Sequence, residues 1–154
     1  MSEGHVKVIA QNRRARFDYH IESKIECGIA LTGTEVKALR ESSAQLSDAY
    51  AIGKDGELFL FNAQIPHYKP AGPLLNHEPK RTRKLLLHRR EISTLIGKVR
   101  EKGLTLVPTR LYFKDGRAKV ELALARGKEL RDKRRDLVRR EAQRDMERAL
   151  KSRR

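Results

Sequence analysis

Tryptophan is absent from this 154-residue chain, cysteine occurs once, and aromatic residues supply only 5% of positions. Each scarcity excludes something. A lone Cys27 makes neither an internal disulfide nor a multi-cysteine zinc site, and the string "ECGIA" around it offers no base to activate a thiol, so it reads as a small core residue. With four Phe and four Tyr, largely claimed by strand interiors, few rings remain for stacking bases, which weighs against a general single-stranded RNA binder. No run of about 18 apolar residues occurs and "MSEGHVKVIAQNRRAR" lacks an apolar signal core, so a cytoplasmic protein is expected. The strings GxxxxGKS/T, GxGxxG and HExxH are missing, and the five histidines are scattered away from any nucleophile or metal-ligand spacing. Asp132 and Asp136 would share a helix face, but Lys133, Arg134 and Arg135 surround them, which disfavours a metal-dependent nuclease. No enzyme, metal or cofactor is expected.

Acidic residues are the next shortage. Against 35 Lys and Arg stand 20 Asp and Glu, a surplus of +15 with a pI near 10.4, so the molecule's field draws polyanions, nucleic acid before an anionic membrane. The last 29 residues, from Arg126, hold 13 basic and 6 acidic side chains, while the first 125 carry +8. A helix in this tail would line Val138, Ala142, Met146 and Leu150 into one thin apolar seam. Burying that seam returns a few kcal/mol at about 25 cal/mol per Å², whereas ordering costs about 1–2 kcal/mol per residue. The tail is therefore expected to be disordered until a polyanion holds it.

Along the body, alternation from Phe17 to Leu31 predicts one bent strand or two, and Thr34 caps a short helix through Val36 and Leu39. "QLSDAYAIGKDGELFLFNAQI" predicts a hairpin, and Pro66 to Pro79 a loop. Leu85, Ile92, Leu95, Ile96 and Val99 form a helical stripe ending at Gly103, and "LTLVPTRLYFKDGRAKVELALA" predicts two more strands around Asp115-Gly116. The expectation is a mainly β chain: a small antiparallel barrel of about six strands with two or three helices.

Three features suggest an RNA surface. The arm Asn12-Arg13-Arg14-Ala15-Arg16 is read as a flexible segment able to lay guanidinium groups on phosphates, or as an ordinary solvated basic terminus. On the strand around Glu26 the polar face carries Glu26, Gly28 and Ala30. That carboxylate either accepts hydrogen bonds from an unpaired base or pairs with an arginine beneath a helix packed on Gly28 and Ala30. Finally, Lys80, Arg81, Arg83 and Lys84 run into Leu86 and His88, with Arg117 and Lys119 on the last strand pair; together they argue for a polyanion groove.

The strings "NRRARFDY", "ECGIALTGTEVKALR", "SDAY", "RTRKLLLHRREI", "GLTLVP", "LYF", "AKVELALARGK" and "DKRR" follow one another in order. Through them the chain resembles the SsrA-binding proteins, also called small protein B, from about Val8 to Arg135. The resemblance implies an OB-fold-like RNA-binding barrel over 1–128, with 1–11 flexible, and a basic tail over 129–154 that is helical on the ribosome. It implies binding to the tRNA-like domain of transfer-messenger RNA (tmRNA, SsrA) and its delivery to stalled ribosomes for trans-translation. Elongation factor Tu would act through the charged RNA, and the tail would occupy the 16S rRNA decoding centre and empty mRNA channel. Carried over by position, the RNA contacts fall on Asn12, Arg13, Arg14, Arg16, Glu26, Leu86, Lys119, Arg126, Gly127 and Lys128. The tail's ribosomal residues are Arg131, Asp132, Lys133 and Arg134, with Val138, Met146 and Leu150 as its seam. The chain departs from the family where Cys27 replaces a usual alanine, Glu129 a lysine and Arg131 a histidine or tyrosine, and where the distal tail lacks aromatics. A structural ribosomal protein is the alternative.

Overall fold

The structure, a computed structural model, describes residues 5–41, 43–127 and 130–152. Strand β1 (Val6–Gln11) leads into helix α1 (Arg13–Asp18) and the long strand β2 (Tyr19–Ile29). Helix α2 (Gly33–Glu41) precedes the hairpin β3 (Tyr50–Lys54) and β4 (Glu57–Phe61). A 3-10 turn (Lys69–Ala71) and the short α3 (Gly72–Leu75) fill the proline-rich loop before β5 (Arg83–Leu86) and α4 (Arg89–Lys102). The hairpin β6 (Thr105–Lys114) and β7 (Arg117–Gly127) completes the sheet, and α5 spans Leu130–Ser152. No described helix is long and apolar enough to cross a membrane.

Hydrogen bonding runs β2-β7-β6-β3-β4-β5 and returns to β2, a closed ring of six antiparallel strands, with β1 attached as a seventh along β6. Closure leaves the ring without an open edge. Both hairpins turn on an Asp-Gly pair: Asp55 and Gly56 have φ of 53° and 76°, Asp115 and Gly116 of 51° and 78°. Two successive left-handed residues match the strand twist, and these two residue types tolerate them best. Inside the ring, Cys27, Leu58, Leu60, Leu85, Leu106, Val120 and Leu122 form one core, on which Ala38 and Leu39 of α2 and Leu95 of α4 close. Burial pushes the Cys27 thiol up to about 12, so the residue is the inert core group its neighbours suggested. At Gly53 a Cβ would lie 2.5 Å from Ile96 Cδ1, so glycine is what lets α4 seat against β3.

The structure corrects four sequence expectations. Residues 6–11, expected to be flexible, pair with β6 from Val6 opposite Lys114 to Gln11 opposite Arg110. The arginine arm is a helix rather than a loose segment. Asn12 Oδ1 accepts the Ala15 N–H at 3.2 Å as its N-cap, and Ala15 packs on Val107, Ala123 and Ala125 on the outside of the ring. Leu85 belongs to a strand and not to the helical stripe that follows, because β5 is needed to join β4 to β2. The tail expected to be disordered is a 23-residue helix. It contains no Gly or Pro and is dominated by Arg, a good helix former, with Leu, Ala, Glu and Lys among the rest. Its apolar seam remains in solvent, with Val138, Met146 and Leu150 each about two-thirds exposed, so local propensity and not core packing supports it.

One buried ion cluster ties β5 to α2. Glu35 and Arg83 are both fully buried; Glu35 accepts from Arg83 Nε, from Arg81 Nη2 at 2.6 Å and from the Thr32 N–H at 2.8 Å. Burial alone would raise the Glu35 pKa, but Arg81, the Thr32 amide and Arg83 outweigh it and hold the carboxyl below its usual range. Arg83 also donates to the carbonyls of Ala63 at 2.8 Å and Pro79 at 3.1 Å, which pins the proline-rich loop. Arg83 and Arg81, grouped above with the groove cations, are therefore structural. Lys84 is engaged too, with Glu57 at 2.8 Å.

Candidate nucleic-acid interface

Period-two alternation on three adjacent strands builds one polar patch on the outside of the ring. Strand register places Gly28 opposite Lys119, which is opposite Tyr112, and Glu26 opposite Glu121, which is opposite Arg110. Lys24 extends the β2 row. Glu26 and Glu121 are facing like charges, an unfavourable pairing unless cations intervene. They do. Glu121 accepts from the Thr109 hydroxyl at 2.8 Å and Arg110 Nε at 2.9 Å, with Lys24 Nζ at 3.4 Å. Burial pushes its pKa up, but those three partners prevail and hold it low. Glu26 accepts from the Tyr112 hydroxyl at 2.5 Å and lies 3.4 Å from Lys114 Nζ. The Tyr112 bond, against some desolvation and aided by Lys114 and Lys119, keeps Glu26 ionised below the ordinary carboxylate range.

Around Glu26 the surface opens into a groove of about 360 Å³ whose lining includes Gly28, Leu86, His88 and Lys119. Leu86 is 49% exposed on the rim. A Cβ at Gly28 would lie 3.1 Å from Leu86 Cβ, so the bare position is what allows β5 to lay this leucine flat across β2. Among the described residues, neither a packed helix nor an arginine occupies Glu26. Below the groove, Arg13, Arg16, Lys24, Arg110, Arg140 and Arg144 line a second trough of about 530 Å³, with Glu121 between them. Arg140 of the tail helix reaches it by lying 5.6 Å over the Phe17 ring. Groove and trough meet at the facing pair Glu26 and Glu121, one lining each, so an apolar shelf with one acceptor carboxylate sits beside a bank of cations. Such a surface suits an unstacked base next to a phosphate backbone.

Of the positions carried over by resemblance, Glu26, Leu86 and Lys119 meet in the groove and Arg13 and Arg16 in the trough. Asn12 is buried, its amide donating to the carbonyls of Leu46 at 3.1 Å and Pro108 at 2.9 Å, so it shapes the arm and does not present its side chain. Arg14 turns away to Asp18 at 3.1 Å and Asp48 at 3.7 Å. Arg126 pairs with Glu22 at 3.0 Å, and Gly127 ends β7. Lys128 and the side chains of Arg131, Asp132 and Lys133 lie outside the described residues; Arg134 is exposed on α5. Sequence reasoning missed Lys24, Arg110, Tyr112, Lys114 and Glu121, although alternation in "RLYFK" signals the polar face of β6.

The family model described as SmpB protein matches residues 9–152. The chain belongs to the SmpB family. Among curated SmpB relatives, the SsrA-binding protein of Acidothermus cellulolyticus is 62% identical over 144 residues, covering 94% of this chain and 90% of that protein. That of Thermobifida fusca is 61% identical over 148 residues, covering 96% and 92%. A solved SmpB chain, from work described as "tmRNA-SmpB: a journey to the center of the bacterial ribosome", superposes with a TM-score of 0.67 at 50% identity. It covers 80% of this chain and 87% of that one.

Proposed function

We propose that the protein binds SsrA, the transfer-messenger RNA, and carries it to stalled ribosomes for trans-translation. The relatives' shared name, SsrA-binding protein, and the ribosomal tmRNA setting of the solved chain support this reading. The observation that carries it at residue level is the convergence of Glu26, Gly28, Leu86 and Lys119 in one groove beside the arginine trough. In this reading Leu86 supports a base, Glu26 accepts from its N–H edge, Lys119 faces phosphate, and Arg13 and Arg16 hold the backbone. The tail, from Arg131 through Leu150, lies along the decoding centre and the empty mRNA channel, where rRNA phosphates face its arginines. No reaction is assigned to the protein itself.

Sequencing the RNA that co-purifies with the full-length chain tests the reading: one abundant transfer-messenger species is expected. Binding of its tRNA-like domain should weaken steeply with salt, by close to one decade per decade of salt for each phosphate engaged. A broad rRNA or mRNA mixture, or one copy of the protein on every ribosome, would instead point to a structural ribosomal protein.

A further inference from the structure

Tyr112 adjoins the groove as the cross-strand neighbour of Lys119, and its surroundings are unusually constrained for a residue on the outer face of a sheet. Although it faces outward from the ring, it is 2% exposed. Arg110 lies over its ring at 4.6 Å and is itself bound to Glu121 at 2.9 Å, while β1 brings Val8 alongside as its cross-strand neighbour. The phenol therefore has one direction in which to point, and there it donates to Glu26 Oε2. Among the described residues, Glu26 Oε1 has the 3.5 Å approach of Lys114 Nζ.

We propose that Tyr112 is the positioning residue of the groove: it fixes the Glu26 carboxylate so that Oε1 is a ready acceptor for the N–H edge of an unstacked base. This inference rests on the RNA reading above and names how that site achieves recognition. A glutamate has three rotatable bonds, and freezing them before the ligand arrives removes an ordering cost from binding. A hydrogen bond onto an ionised oxygen is strong enough to do this, and it also favours the charged form over the protonated one, which would present a donor where the base needs an acceptor. The other groups facing Glu26 do not replace it. Lys114 and Lys119 bring charge without fixed direction, Glu121 is committed to Thr109, Arg110 and Lys24, and His88 and Glu91 lie across the groove, where Glu91 accepts the His88 N–H at 3.2 Å.

The test uses the full-length protein and the tRNA-like RNA domain, comparing wild type, Tyr112→Phe, Glu26→Gln and the double variant by equilibrium binding from pH 4 to 8. Tyr112→Phe is expected to weaken binding about five- to tenfold at neutral pH. It should also move the acid limb of the profile upward, toward an ordinary carboxylate. Glu26→Gln should remove that limb, and adding Tyr112→Phe to it should cost little more. An NMR titration of the Glu26 side-chain carboxyl in RNA-free protein gives a readout that a folding defect does not mimic: its midpoint should rise in Tyr112→Phe. Tyr112→Phe with wild-type affinity and an unmoved Glu26 midpoint would overturn the positioning role alone. Glu26→Gln binding as tightly as wild type would overturn the base-reading role on which it stands.

Discussion

Glu35→Ala removes one side of an ion pair in which both side chains are fully buried and leaves the Arg83 guanidinium inside with its charge uncompensated. Arg83 keeps its hydrogen bonds to the Ala63 and Pro79 carbonyls at 2.8 and 3.1 Å, so its N–H groups remain partly satisfied. What is lost is the carboxylate, its bond to Arg81 at 2.6 Å, and the Thr32 N–H acceptor at the start of α2. Stranding one member of a buried pair costs about 3–5 kcal/mol. For a domain of this size that lowers Tm by roughly 6–20 °C. Urea unfolding followed by far-UV circular dichroism measures it. Glu35→Gln, which keeps shape and one acceptor, should fall between the two. Because the folded carboxyl sits below its ordinary value of 4.5, the unfolded chain takes up the proton first as pH falls. The contribution is complete above the unfolded pKa and drains away as pH drops through the folded one. Wild type should therefore lose this stability below about pH 4.5, and Glu35→Ala should show a flatter acid limb. A Glu35→Ala cost under about 1 kcal/mol, with an acid limb like that of wild type, would refute the idea that this cluster holds β5 and the proline-rich loop in place.

Two further perturbations probe other parts of the structure. Gly53→Ala should destabilise the barrel by about 1–3 kcal/mol in thermal melts because the new methyl meets Ile96, and adding Ile96→Val should recover part of that loss. Amide hydrogen exchange should find Leu130–Ser152 weakly protected beside β2, β6 and β7 in the free protein and strongly protected in the ribosomal complex, since the seam of α5 is exposed; equal protection in both states would disprove it.

Local chemistry made much of the barrel legible. The two Asp-Gly turns, the alternation of β2 and β7, and the Ile92 to Val99 stripe ending at Gly103 each specify their element within a few residues. What failed was anything decided at a distance. The triple leucine 85–87 has no period of its own; Leu85 is a strand residue because β4 and β2 flank it. "VKVIAQ" becomes a strand because the far half of β6, paired on one side with β7, has its other edge open beyond the short contact with β3. Arg83 looked like one more surface cation because its partner Glu35 is 48 residues away. Glu26, Leu86 and Lys119 are marked by strand alternation and the basic runs beside them, and the family likeness falls on the same positions. Tyr112, which meets Glu26 across 86 residues, is visible only once the strands are registered.

The seventh strand has a consequence for anyone trimming this protein. β1 lies outside the ring, so its removal leaves every ring pairing intact, and a shortened chain should still fold and pass for sound by bulk spectroscopy. Yet β1 splints the stretch of β6 from Arg110 to Lys114, which carries Tyr112 and Lys114, the partners of Glu26. A cut ending at Gln11, the last residue of β1, would thus blur recognition some distance from the cut.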